Sequence, residues 1–454
     1  MKRILALLLC LFLAVGATAC TDGGQGGTTN STGATTVPGD PLQITVPTQA
    51  ASTTRPSKTP STTTDTEVYG KLLNDGDFPV HSFYGADALT MAAGMPYINF
   101  LDEKNLTNLS GSLAKRYTVS VPDTDFSFVH ESAVIEYKGT VFAAWYSCHE
   151  LELVGYTPIH GARSTDGGKT WTDKEIWAHD PSGEEMYCPP VFGISDNKLY
   201  MLVNTMKGFD NITALELYQW NEQTLTFNKV WRKSMCFKIN TNVITLPNGK
   251  LMIPGRSGTM GKNPLNPAVL ISDSGKIDGN WRIVTVDKTE RTAPETTVMT
   301  VGNKLYMFSR SDKPEVSLVY VSTDNGETWT QPASHDIPLR AVKMYAGTLA
   351  DGRNYIVGNV EVAGRTRVAM YIAEKGTCRF TKKIVLYDKA TAKIADTEMC
   401  HYPCVYESNG KLYITLTVGY TKDSHIVPET TNIADRYSWF VRGIQLFVLD
   451  VNKL

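Results

Sequence analysis

The chain has 454 residues, with 44 lysines and arginines against 46 aspartates and glutamates and a formal net charge of −2. That balance, with no basic stripe and no arginine-rich arm, argues against a nucleic-acid partner. The length leaves room for one large β domain or two ordinary ones once the ends are set aside.

Residues 1–20 read as a targeting segment. Lys2 and Arg3 supply a positive start, residues 4–15 form an apolar run too short to span a bilayer comfortably, and Gly16-Ala17-Thr18-Ala19 lead into Cys20. Small residues before a cysteine resemble a bacterial lipobox, so Cys20 is the expected lipidation site of an exported, membrane-anchored lipoprotein on the bacterial cell surface; ordinary cleavage with release is the alternative. Residues 21–66 are rich in Thr, Ser, Gly and Pro and have no apolar periodicity. Such a segment cannot bury enough surface to fold and is expected to act as a disordered, semi-stiff linker.

The body, residues 67–454, is organised by an internal repeat. A short apolar run, a tight turn and a second apolar run recur as SAVIEY-KG-TVFAAWYS, PVFGIS-DN-KLYMLVN, NVITLP-NG-KLMIPGR, TTVMTV-GN-KLYMFSR, AGTLA-DG-RNYIVGN and PCVYES-NG-KLYITLT. Asn-Gly, Asp-Gly and Gly-Asn are what two-residue primed turns need. Val141, Leu199, Leu251, Leu305, Asn354 and Leu412 occupy equivalent places, at steps of 49 to 58 residues. That period suits one four-stranded blade with its loops, and six copies imply six blades.

Asp-boxes, S-x-D-x-G-x-x-W, follow in phase. Residues 164–171 and 322–329 are complete, and Ser272-Asp273-Ser274-Gly275 with Trp281 is degenerate. The Asp bonds backbone N–H groups of its own turn, Gly supplies a conformation other residues resist, and Trp packs beneath. The expected fold is therefore all-β: a six-bladed β-propeller with Asp-box repeats, preceded by signal peptide and tether. Residues 80–118 are the least regular, with a short helix expected at 87–93.

In a propeller the residues flanking equivalent inner strands surround the axis. Here these are His130-Glu131, Tyr187-Cys188, Asn240-Thr241-Asn242, Glu295, Lys343-Met344-Tyr345 and His401-Tyr402 before the hairpins. Trp145-Tyr146, Asn204, Arg256, Arg310, Asn359 and Thr417 follow them. Ionisable and polar residues crowd one funnel where plain strand ends would carry turn residues.

With these residues in place, residues 126–454 resemble the sialidase superfamily, and V-H-E-S, W-Y-S and H-Y-P-x-V resemble its broader BNR-repeat branch more closely. The resemblance implies a glycoside hydrolase that holds a substrate carboxylate with arginines, attacks with a tyrosine activated by a glutamate, and uses an acid/base carboxylate. It casts Tyr402 as nucleophile, Glu295 as its base, and Arg310 and Arg365 on the substrate. Two departures stand out. His130 occupies the place of the first arginine, with Arg256 as a candidate replacement, and the loop SCHELELVGYTPIHGA has no Asp, leaving Glu150 or Glu152 as acid/base. A neutral phenol can approach a substrate that already carries a carboxylate, and an arginine fork matches that carboxylate bidentately.

Three functions fit this pattern. The first is an exported exo-glycosidase releasing a terminal acidic sugar, sialic acid or a relative, from a glycan by retaining chemistry, with Arg310, Arg365, Arg256, His130, Glu131 and His401 around the substrate. The second is another glycosidase or a polysaccharide lyase using His130, His401 and Tyr402. The third is a non-catalytic glycan-binding lipoprotein. No cofactor is called for. The scaffold is compatible with a structural calcium, although no ligand loop identifies one. The body's six cysteines, Cys148, Cys188, Cys236, Cys378, Cys400 and Cys404, lack the paired spacing of a zinc site.

Overall fold

The computed structural model describes residues 80–82, 96–286, 294–310, 317–339, 342–360, 365–390, 397–420 and 441–454. The leader, the tether and the helix expected at 87–93 lie outside the described residues.

Among the described residues there are six sheets, antiparallel within each blade, and each is one of the anticipated repeats. The first blade runs Phe128–Tyr137, Thr140–Cys148, Ile159–Ser164 and Glu175–Ala178; the second, Met186–Ser195, Lys198–Met206, Ile212–Asn221 and Thr226–Lys233. The third, fourth and fifth blades cover residues 237–285, 296–335 and 345–388. The sixth is built from Thr397–Ser408, Lys411–Tyr420 and Arg442–Asp450. Each blade starts at the axis. The opening strand of the first blade touches those of the second and the sixth, and the fourth, fifth and sixth touch in turn. All-β, six-bladed propeller architecture is thus what the hairpin periodicity encoded.

The sixth blade takes its outer strand, Lys115–Ser120, from the beginning of the body. Ser120 lies opposite Ile444 and Lys115 opposite Val448. Upstream, the described part of the irregular stretch contains short edge strands. Pro96–Ile98 pairs parallel with Ala333–His335 of the fourth blade, and Thr107–Leu109 pairs parallel with Phe380–Asp388 of the fifth. The Asp336 carboxylate fastens this ribbon, accepting from the Phe100 N–H at 2.7 Å.

Aromatic side chains fill the wedge between the first two blades. Phe142 lies 5.0 Å from Trp220, and Trp177 lies 5.0 Å from Phe227. The complete Asp-boxes have the expected mechanics: Gly168 N–H donates to Ser164 Oγ at 2.8 Å, and Trp171 Nε1 donates to Gly168 O at 3.0 Å. In the degenerate copy Asp273 instead binds Lys250 and Arg282. The six body cysteines are buried and unbridged.

One strand departs from the pattern. The run NVITLP pairs only through Ile244–Thr245, and a separate piece, Phe237–Ile239, meets the far end of the same partner strand, Leu251–Ser257. The intervening asparagines leave the ladder to bind other blades. Asn242 accepts from Phe192 N–H and donates to Val134 O, each at 2.9 Å, and Asn240 accepts from Thr296 N–H at 3.1 Å.

Candidate active site

The same backbone device appears in the first and sixth blades. The register of Phe128–Tyr137 slips between His130 and Ala133, and that of Thr397–Ser408 slips between His401 and Cys404. Each bulge turns one residue into the left-handed region, Glu131 at φ +45° and Tyr402 at φ +58°. Bulges re-aim side chains, and non-glycine residues in this region cost on the order of 1–2 kcal/mol each. Arg365 shares the conformation, at φ +59°.

Tyr402 is aimed at Glu295, which stands at the entrance of the fourth blade's first strand. The phenol donates to Glu295 Oε1 at 2.5 Å. Arg310, at the end of the neighbouring strand, donates through Nη1 to Glu295 Oε2 at 2.9 Å and lies 3.3 Å from the Tyr402 oxygen. Tyr402 and Glu295 are buried, whereas Arg310 is partly open. The Arg365 guanidinium lies 5.5 Å from the centroid of the Tyr402 ring and donates to His401 Nδ1 at 3.2 Å. Because a guanidinium only donates, His401 is a neutral imidazole protonated on Nε2. His130 packs 4.3 Å from the Tyr402 ring and shares a 2.8 Å hydrogen bond with Thr417. Glu131 accepts from Lys343 Nζ at 3.3 Å and from the Cys188 thiol at 3.5 Å.

The electrostatics follow from burial and from these neighbours. Burial raises the Glu295 carboxyl, but Arg310, Lys343 and the Tyr402 hydroxyl outweigh it and hold the group below its ordinary range. Burial, then the charge of Glu295, pushes the Tyr402 phenol up, so at rest it keeps its proton beside an ionised base. Burial and surrounding cations, Arg442 foremost for His130 and Arg365 for His401, hold both imidazoles well below their ordinary value.

The structure thus gathers Tyr402, Glu295, Arg310, Arg365, His130, Glu131 and His401 around one point. Arg256 is also close, but it is buried, and its Nη2 donates to Asp210 at 2.8 Å. Asp210 also receives Lys238 at 2.5 Å. The expected substrate arginine of the third blade is therefore part of an internal ion cluster. Of the two acid/base candidates, Glu152 accepts from the buried Tyr146 hydroxyl at 2.8 Å, and that ring lies 5.8 Å from His130; Glu150 is exposed.

Lys343, Asp210 and Arg442 are participants that the choice of site residues passed over. Lys343 stood in view two residues before the fifth hairpin. Asp210 and Arg442 lie on the loop before, and at the start of, third strands, positions that the hairpin alignment does not sample. Arg442 lies 4.3 Å over the Phe128 ring, and its backbone N–H donates to Ser127 O at 2.9 Å.

A tyrosine, its carboxylate and a shared arginine at the axis of a six-bladed propeller define a sialidase-type scaffold. The BNR repeat-like domain model matches residues 139–414, more than half of the chain, and the chain belongs to that family within the sialidase/BNR-repeat superfamily. No curated protein matches it significantly. Among solved structures it is similar to a protein of unknown function from Dyadobacter fermentans, at 13% identity and TM-score 0.54, covering 74% of this chain and 98% of that one. It is similar to a Hadza microbial sialidase at 15% identity and TM-score 0.55, covering 72% of this chain and 66% of that one. It is also similar to Trypanosoma rangeli sialidase in complex with sialic acid, at 16% identity and TM-score 0.53, with 75% and 58% covered. At these identities the likeness is one of fold.

Proposed function

We propose that the protein is a glycoside hydrolase that releases a terminal acidic sugar of the sialic acid class from glycans, with retention of configuration. The observation that carries this reading is the 2.5 Å hydrogen bond from Tyr402 to Glu295 with Arg310 spanning both. Glu295 accepts the phenolic proton as the oxygen attacks the anomeric carbon, and Arg310 steadies the negative charge forming on that oxygen. Glu152 gives a proton to the departing glycosidic oxygen and then takes one from the water that releases the sugar from Tyr402. Starting from a neutral phenol avoids setting two anions against each other when the substrate's own carboxylate arrives.

Hydrolysis of an aryl α-sialoside, with the first-formed anomer read by NMR, tests the reading. Glu295→Gln and Tyr402→Phe should each abolish most turnover, and a 2,3-difluorosialic acid probe should leave its mass on the Tyr402 peptide. Undiminished turnover in Tyr402→Phe, or release from neutral sugars alone, would overturn it. Placement outside a membrane, through a lipid on Cys20, is part of the proposal and is supported by the residues preceding that cysteine. Mass spectrometry of the mature N-terminus should find a diacylglyceryl cysteine; an unmodified residue there would refute the anchor.

A further inference from the structure

Three cations converge on Tyr402. Arg310 lies 3.3 Å from its oxygen, the Arg365 guanidinium 5.5 Å from its ring centroid, and Lys343 Nζ 5.7 Å from the same centroid. In a sialic acid the carboxylate is borne on the anomeric carbon itself. Any cation that binds it must therefore lie beside the group that attacks that carbon. Lys343 meets this condition; Arg256, although its Nε and Nη1 have no hydrogen-bond partner, is tied through Nη2 to Asp210, and His130 shares a hydrogen bond with Thr417.

Lys343 is also unusually underused. Its side chain is 7% exposed, and its single hydrogen bond among the described residues, to Glu131, spans 3.3 Å. An ammonium has three donors, and a buried one with two to spare is costly unless something else takes them up. Glu131 is held for its task by the first-blade bulge, which mirrors the bulge presenting Tyr402. Its other oxygen is tied by Cys188.

We propose that Lys343 is a third binding group for the substrate's carboxylate, taking the place of the guanidinium missing at His130, and that Glu131 is the residue that positions it. The proposal rests on the acidic-sugar reading above. On substrate entry one or two Lys343 N–H groups turn to the incoming carboxylate while Glu131 keeps the amine from swinging away. A point charge serves here because Arg310 and Arg365 already supply planar forks.

The test is calorimetric binding to the full-length chain of 2-deoxy-2,3-dehydro-N-acetylneuraminic acid and of its C1 carboxamide. Lys343→Met should weaken the carboxylate ligand on the order of tenfold to a hundredfold, as expected for a lost charge-assisted hydrogen bond, and the carboxamide by about twofold at most. With substrate, the loss should fall mainly on KM. Lys343→Arg should restore most of the preference, and Glu131→Gln should reduce it by an intermediate factor. Equal losses on both ligands, or none, would overturn the assignment of Lys343. Should Lys343→Met not fold, an unaltered carboxylate preference in Glu131→Gln would overturn it instead. A wild-type protein that binds neither ligand would refute the acidic-sugar reading, and this inference with it.

Discussion

Replacing Asp210 by Asn should damage the fold far more than replacing either of its partners. Asp210 accepts from Lys238 at 2.5 Å and from Arg256 at 2.8 Å, and none of the three side chains is more than 7% exposed. Asp210→Asn leaves two cations in the interior without their shared counter-charge. Breaking a buried ion pair in this way costs about 3–5 kcal/mol. Arg256→Met leaves Asp210 matched to Lys238 and puts an apolar stem in place of the guanidinium, so its cost should be about 1–2 kcal/mol. Urea unfolding followed by tryptophan fluorescence at pH 7 measures both. Burial raises the Asp210 carboxyl, but Lys238 and Arg256 outweigh it and hold the group below its ordinary value. Its contribution is therefore present above the ordinary carboxylate range and lost as pH falls through and below it, and the Asn variant should lack that component of acid destabilisation. Asp210→Asn unfolding within about 0.5 kcal/mol of wild type would refute the reasoning. So would an Arg256→Met protein of full stability with a greatly raised KM, which would return Arg256 to the substrate.

Three further outcomes are expected. His130 and His401 are held neutral, below the ordinary imidazole value, as are His160 and His335, so the stability they confer is present above about pH 6.5 and is lost on acidification by up to about 1.4 kcal/mol per pH unit for each; His130→Asn should remove one such contribution, roughly a quarter of the histidine slope, in unfolding curves between pH 6.5 and 5, and an unchanged slope would refute it. Asp336 is pushed up to about 6 by burial, against the hydrogen bonds from Phe100 and Leu101, so its favourable contribution fades as pH rises through 6; Asp336→Asn should lack that decline, as thermal unfolding at pH 4 and 7 would show. Gly326 sits at φ +87°, where an added Cβ would come within 2.3 Å of Met252 Cε, whereas Gly302, at φ +60°, has nothing within 4 Å. Gly326→Ala should therefore cost more than Gly302→Ala, which carries only the backbone penalty of about 1 kcal/mol, and the reverse order of midpoints would contradict this.

The hairpins were legible because each combines a two-residue turn with a short apolar run on either side, signals that need no knowledge of the rest of the chain. The broken opening strand of the third blade was not. NVITLP has strand composition, but Asn240 and Asn242 bind Thr296, Phe192 and Val134 of other blades, and only the closed ring brings those partners near. The edge strands at residues 96–109 were hidden for a related reason: three-residue pieces that pair in parallel with distant strands carry no local period. At the site, Tyr402, Glu295 and Arg310 could be read because each flanks a recognisable strand. Arg256 flanked one too, and nothing local distinguished it; what redirects it is Asp210, which lies 46 residues away in the chain. Lys343 was visible by position, but its partner Glu131 lies 212 residues away, and only that contact gives it a role.

The closure of the ring sets the order of events during synthesis. The sixth blade joins Lys115–Ser120 to Arg442–Asp450, so the circle has no lock until residues 442–450 have emerged. Five blades can form their hairpins early, because those contacts are local, but they remain an open arc with the walls of the funnel unsupported. Tyr402 enters that arc late as well, long after Glu295 and Arg310. A nascent or truncated chain lacking residue 442 onward should therefore carry every recognisable repeat and an unclosed candidate site.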